Sequence, residues 1–373
     1  MHSDPILLTP GPLTTAPATR AAMNRDWGSR DEAFTAITTR ICRRLEALVG
    51  GAGTHVAVPL QGSGTFAVEA TLATLVPRDG KVAVLVNGAY GRRIVQILEA
   101  IGRSHVALTC PEHEANDPAA LDALLHDDAS ITHVAAVYCE TTTGLRNPIE
   151  AVAEVTERHG RGLLIDAMSA LGVLPLDARD IRFDAVMASS NKCLEGVPGI
   201  GFAVIRREPL EACAGNAASV ALDLHAQYQG FARNGQWRFT PPTQVLAAFD
   251  QALVAYAEEG GRTARLARYA TNHRLLVTGL RALGFETLLP DDLQAPIIVT
   301  FLQPSTGCFS FPAFYEALRQ RGFVIYPGKL TEVDSFRVGC IGQVFPEQID
   351  TFVATVGDVM NQLGLVQTPR ECA

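Results

Sequence analysis

The stretch "ASSNKCLEGVPGIG", residues 188–201, holds a single cation, Lys192, directly behind the apolar run "FDAVMA" (183–188). Lysine is among the residues least often buried without a partner. A surface loop whose lysine points into water would account for the segment. The other reading is that a buried strand ends here and presents an amine at its tip. The flanking sequence decides between them, and with them the fold.

Upstream, "KVAVLVN" (81–87), "SHVALTC" (104–110), "THVAAVYC" (132–139), "GLLIDAM" (162–168) and "FDAVMAS" (183–189) are short apolar runs, and "GFAVIRR" (201–207) follows the lysine. Amphipathic stretches such as "RRIVQILEAIG" (92–102) and "IEAVAEVTERHG" (149–160) lie between several of them. Continuous apolar strands alternating with helices predict an α/β domain whose mostly parallel sheet is covered on both faces. A helical pattern at 243–258, a break at "EEGGR" (258–262) and a second helix over 263–284 come next. The segments "APIIVTFL" (295–302), "FPAFYEALRQRG" (311–322), "FVIYPG" (323–328), "SFRVGCIG" (335–342) and a last helix from Pro346 predict a small α+β domain. The expected division is an irregular arm over 1–14, broken by Pro10 and Pro12, a large domain over 15–260 and a small C-terminal domain over 261–373.

The 373 residues suffice for two lobes, and 47% hydrophobic with 19% charged residues is ordinary for a globular chain. A net charge of −8 argues against a nucleic-acid-binding face. No apolar run approaches the roughly 20 residues that span a bilayer, and no secretory signal is visible. Eight cysteines at 42, 110, 139, 193, 213, 308, 340 and 372 form no C-x-x-C pair, which predicts reduced thiols and a cytoplasmic setting. Cys308, in "PSTGCFSF", reads as an ordinary thiol.

Four features carry chemistry. "LQGSGTFAVEATLATL" (60–75) opens a helix with Ser63, Gly64 and Thr65, where free amides and two hydroxyls would bind an anion; a plain capped helix fits the same pattern. Ala67 stands where a dinucleotide-binding fingerprint needs glycine, and no lysine follows as in a Walker loop. Asp166 ends the apolar "LLI" of 163–165, either as a helix cap or as a carboxylate holding a proton on a ring nitrogen. Lys192 follows one strand later, which in a parallel sheet brings it near Asp166 on the ligand-binding edge. Tyr90, in "NGAYGRR" (87–93), is placed to lay its ring over a planar ligand or is simply half-buried. Taken together the four describe a phosphorylated heterocyclic aldehyde, pyridoxal 5'-phosphate, with Lys192 and Asp166 as its handles.

At this point the chain resembles the class V aminotransferases of fold-type I, the pyridoxal-phosphate-dependent transferases. The matching stretches are "ILLTPGPLTT" (6–15), "LQGSGTFAVEA" (60–70), "NGAYGRR" (87–93), "CETTTGLRNPI" (139–149), "IDAMSALG" (165–172), "SSNKCLEGVPG" (189–199), "WRFTPPT" (237–243), "GFVIYPGK" (322–329) and "FRVGCIG" (336–342). They are collinear over nearly the whole chain. Within the family the pattern looks most like the enzymes that move an amino group from 2-aminoethylphosphonate to pyruvate in phosphonate degradation; alanine– or serine–glyoxylate aminotransferases are the alternative. The resemblance implies Lys192 as the lysine bonded to the cofactor, Asp166 as partner of its ring nitrogen and Thr141 as a hydroxyl to its phenolic oxygen. It further implies Asn191 near the phosphate, Thr240 reaching the phosphate of a neighbouring subunit in a homodimer, and Arg337 gripping the substrate's acidic group. "DWGSRD" (26–31) departs from the family pattern at Arg30, and neither Arg30 nor Arg20 receives a role.

Overall fold

A computed structural model describes residues 4–304, 309–329 and 333–365; Cys308 and Cys372 lie outside them. Seven strands form the central sheet in the order His55–Gln61, Ile200–Arg206, Ala185–Ser189, Gly162–Asp166, Ile131–Val137, Lys81–Val86 and Ser104–Thr109. The five strands from Ala185–Ser189 to Ser104–Thr109 are mutually parallel. Ile200–Arg206 runs antiparallel to both its neighbours. The expected mostly parallel sheet is therefore present. His55–Gln61 is a strand the apolar pattern did not single out, because Pro59 interrupts the run.

Alternation along each strand feeds two separate cores. Leu163, Ile165, Val186 and Ala188 pack on one face, while Leu164, Ala185 and Met187 pack on the other. Helices Glu32–Leu48 and Thr243–Glu259 cover the first face, and Gly64–Leu75 and Ala89–Ala100 the second. A third core belongs to the small lobe, where Phe285, Phe301, Phe314 and Phe336 interlock at centroid separations of 5.4–6.4 Å. Its sheet joins Ile298–Leu302, Ser335–Gly339 and Tyr326–Pro327. The run "FVIYPG" is thus two short strands: Phe323–Val324 pairs instead with Ile6–Leu7 of the N-terminal arm.

That arm threads between the small lobe and the turn that carries Lys192. The Gly339 amide donates to Leu8 O at 2.9 Å, and Lys192 Nζ donates to Pro10 O at 2.9 Å. Gly11 must be glycine here. Its φ is +122°, and a Cβ would sit 2.7 Å from the Lys192 side chain.

The lysine turn is fixed from beneath by a buried ionic cluster. Glu195 adopts φ +56°, and its carboxylate accepts from Tyr269 Oη at 2.6 Å and Arg268 Nη2 at 2.8 Å, with Arg265 Nη1 at 3.3 Å and a bond from Gln343. Arg265, only 1% exposed, also donates to Cys193 O at 2.6 Å, and both arginines reach Glu259. Removing one member of such a cluster strands the others in a poorly solvated place. Glu195→Ala is expected to lower the urea unfolding free energy by about 3 kcal/mol, whereas Arg40→Ala, which breaks the exposed pair with Asp250, should cost no more than about 1 kcal/mol. Equal losses would show that the cluster carries no special weight.

Candidate active site

The chain leaves Lys81–Val86 for the edge strand Ser104–Thr109 and then returns to the other side of Lys81–Val86, so the strand order reverses there. Ligands of open α/β sheets bind beyond the carboxyl ends of the strands at such a point. A cavity of about 180 Å³ opens on this edge, lined by Ser63, Gly64, Thr65, Tyr90, Arg93, Asp166, Met168, Ser189, Asn191 and Lys192 among others. Eight of the ten residues singled out in the sequence are Ser63, Gly64, Thr65, Tyr90, Asp166, Asn191 and Lys192, which line it, and Arg337, whose charge acts on Lys192. Thr141 is buried behind, its carbonyl taken by Arg337.

Each side chain is where local structure must put it. Asp166 is the last residue of its strand, and Lys192 follows the end of the adjacent parallel strand by three residues. The turn after Ser189 closes through Glu195 N to Lys192 O and Gly196 N to Ser190 O, both 2.8 Å. Ser63 stands at the N-cap of Gly64–Leu75, yet its hydroxyl makes no capping bond, so it is available to a ligand beside the free amides. A Cβ at Gly64 would run into the Met168 thioether of the cavity wall, so a side chain there would have to displace Met168. Tyr90 and Arg93 are three apart on helix Ala89–Ala100 and so share a face; Arg93 Cζ lies 5.0 Å from the Tyr90 ring centroid, and Nη1 bonds Thr65 Oγ1 at 3.2 Å.

Electrostatics set the two handles against each other. Asp166 is 5% exposed; burial pushes its carboxyl up to about 6, opposed by the Met168 amide that Oδ1 accepts at 2.9 Å. Lys192 keeps partial access through the cavity, but burial of the amine brings it down to about 8, with Arg337 and Arg93 pushing the same way and Asp166 opposing. An amine tuned this way is a nucleophile near neutral pH. Arg337, 6% exposed, donates through Nη1 to Thr141 O at 2.9 Å and through Nε to Pro327 O at 3.1 Å.

Thr240 is not brought into this cavity. It is exposed and lines a neighbouring surface hollow with Gly62, Phe66, Trp237 and Phe239. Arg30 lies in another hollow, with Arg233, Arg238 and Trp237, and Arg20 bonds back to Thr15 O. Three charged residues near the site had drawn no role from sequence. Arg93 carried a signal in its i, i+3 spacing from Tyr90. Glu140, fully buried, accepts from Tyr90 N and Thr142 N at 3.1 Å and so fixes the start of the Tyr90 helix. Lys329 places Nζ 4.9 Å from the Tyr90 ring centroid, a contact made only when the small lobe packs on the large.

Comparison with known proteins fits this geometry. A family profile for aminotransferase class-V matches residues 18–313, and the chain belongs to that family. A 2-aminoethylphosphonate–pyruvate transaminase of Pseudomonas putida (strain W619) is 53% identical over 363 residues, covering 97% of this chain and 99% of the relative. Among solved structures, an alanine–glyoxylate aminotransferase from Nostoc sp. superposes with a TM-score of 0.90 at 25% identity over 96% of both chains. A pyridoxamine–pyruvate aminotransferase from Mesorhizobium loti gives 0.89 at 25% identity over 97% of this chain and 94% of that one.

The lowered Lys192 pKa makes a stability prediction for the cofactor-free protein. Between about 8 and the ordinary 10.5 the folded state binds fewer protons than the unfolded one, so this residue's contribution rises with pH across that window. Below about 8 the cost of burying a charged amine is fully present. Lys192→Met should therefore raise urea stability at pH 7 by about 2–3 kcal/mol, and the gain should vanish by pH 10.5. A gain that is the same at both pH values would contradict a buried, charged amine.

Proposed function

We propose that the chain is a pyridoxal 5'-phosphate-dependent transaminase that moves the amino group of 2-aminoethylphosphonate to pyruvate, giving phosphonoacetaldehyde and L-alanine. The observation that carries this reading is the meeting of a buried amine, Lys192, and a buried carboxylate, Asp166, in one cavity whose wall includes the helix N-terminus at Ser63–Thr65. The donor set fits the cofactor part by part. Amides and hydroxyls at 63–65, with Arg93 beside Thr65, suit its phosphate; Tyr90 suits its ring; Asp166 suits its pyridine nitrogen; Lys192 suits its aldehyde carbon. The donor and acceptor are supported by the 53% identity to the Pseudomonas putida transaminase over nearly the full length of both chains.

When bound, pyridoxal phosphate supplies the electron sink that makes the C–H bond beside the substrate amine acidic. The chain's own residues do the rest. Asp166, left as a carboxylate once a cation faces it, would keep the pyridine nitrogen of the bound group protonated. Lys192 would hold the cofactor's aldehyde carbon, and its Nζ, as a free amine in the cavity, would be the base that accepts the acidic proton of the substrate carbon. Pro10 O, 2.9 Å from Nζ, offers that free amine a polar partner. Arg337 suits the acidic end of either substrate, because its planar fork pairs with phosphonate and carboxylate oxygens alike.

The chain is further read as a cytoplasmic homodimer. Phe66 and Phe239 are 48% and 53% exposed around the hollow that holds Thr240, the kind of apolar patch a subunit contact covers. Six unpaired cysteines among the described residues suit a reducing compartment.

Purified protein with added pyridoxal phosphate should turn yellow, and borohydride should bleach it while labelling Lys192. The loaded protein that has not been treated with borohydride should form alanine from pyruvate faster with 2-aminoethylphosphonate than with serine; preference for glyoxylate as acceptor would support the alanine–glyoxylate type instead. Arg337→Lys retains charge but loses the fork, and both half-reactions should fall by about 10- to 100-fold in kcat/KM. Wild-type rates with either substrate would exclude Arg337 as their common partner.

A further inference from the structure

Arg93 lines the cavity, Lys329 lies over its Tyr90 wall and Arg337 is near enough for its charge to act on Lys192. Yet among the described residues none of these three cations sits within ion-pair distance of a carboxylate. Arg93 and Arg337 approach from the two lobes, and Lys329 joins them over the Tyr90 ring. In a chain of net charge −8 this is a local reversal of sign. Arg93 is committed to the phosphate end by its bond to Thr65. Arg337 and Lys329 are carried on one hairpin of the small lobe: Tyr326 pairs with Arg337, Arg337 Nε bonds Pro327 O, and Lys329 follows two residues later. Lys329 is held below its ordinary pKa first by burial and then by Arg93 and Arg337, so the three charges feel one another. Such repulsion persists in a fold when an anion relieves it on binding.

A carboxylate carries one negative charge, whereas a phosphonate, like a phosphate monoester, loses a second proton near neutral pH and carries two. Arg337 alone balances the first. We infer that Lys329 is the specificity-determining second cation of the substrate subsite, the group that lets this enzyme favour a doubly charged phosphonate donor over a singly charged carboxylate. Lys329 is exposed as a residue although its ammonium is partly desolvated, and its long side chain can swing toward the phosphonate oxygens that the Arg337 fork does not take. The Tyr90 ring holds the ammonium near the site until substrate arrives. The inference rests on the proposed 2-aminoethylphosphonate reading, whose donor it explains.

The test separates the two half-reactions of the pyridoxal-phosphate-loaded enzyme by single-turnover absorbance. Lys329→Met should lower kcat/KM for 2-aminoethylphosphonate by about 10- to 100-fold and that for L-alanine by no more than about 3-fold. Lys329→Arg should restore most of the loss. In wild type, kcat/KM for the phosphonate should climb through its second ionisation, and Lys329→Met should flatten that limb; methylphosphonate should likewise weaken as an inhibitor of the variant while acetate does not. Equal losses with both donors, or none with either, would overturn the role of Lys329. A wild-type enzyme that takes alanine but no phosphonate would instead overturn the parent reading, a distinguishable failure.

Discussion

The structure depends on keeping one amine buried at the end of a strand without letting its loop relax into solvent. Desolvation favours exactly that escape, since a charged lysine gains by reaching water. The chain blocks it from two sides. Below, the Glu195 carboxylate collects Tyr269, Arg268, Arg265 and Gln343 at a backbone angle that non-glycine residues seldom adopt. Above, the arm lays Pro10 and Gly11 on the lysine, close enough that Gly11 has no room for a side chain. A strained residue held by buried charges is a sign that position has been favoured over local comfort.

The same cluster couples elements distant in sequence. Arg265, Arg268 and Tyr269 belong to the helix Gly261–Ala282, Gln343 follows the small-lobe sheet, and Gly342 donates to Tyr269 Oη at 3.0 Å. The arm adds a second tie through the pairing of Ile6–Leu7 with Phe323–Val324. Lys192 from the large lobe and Arg337 from the small lobe are thereby held in a fixed relation, in which burial and then the Arg337 charge keep the Lys192 amine below its ordinary pKa. Chemistry that needs an amine and an acid-binding fork on either side of one small molecule requires this relation.

Much of this was legible in the chain. Apolar runs at 81–87, 132–139, 162–168 and 183–189 mark strands buried on both faces, because no alternation with polar residues is needed there. Asp166 and Lys192 stand out because charge at the end of such a run is costly without a purpose. What escaped reading lacks a local signal. The antiparallel direction of Ile200–Arg206 has no residue signature, His55–Gln61 hides behind Pro59, and "FVIYPG" divides because its first half pairs with residues more than 300 positions earlier. Glu195 looks like any loop glutamate until the long helix packs on it, and Lys329 like any surface lysine until Tyr90 lies beneath it.

Tyr90 shows how the two lobes divide the work. Its backbone amide is held by Glu140, its ring lines the cavity, and cations from both lobes approach that ring. The large lobe supplies groups that suit any pyridoxal phosphate enzyme: an amine, an acid, and a helix end for phosphate. The small lobe carries Arg337 and Lys329 on one hairpin, and with the roles proposed for them a change there would alter which acid is held without disturbing the amine or its supports. That separation would let a fold of this kind take a different acid by changing its small-lobe rim of charge, while the buried, retuned lysine and the cluster beneath it stay in place.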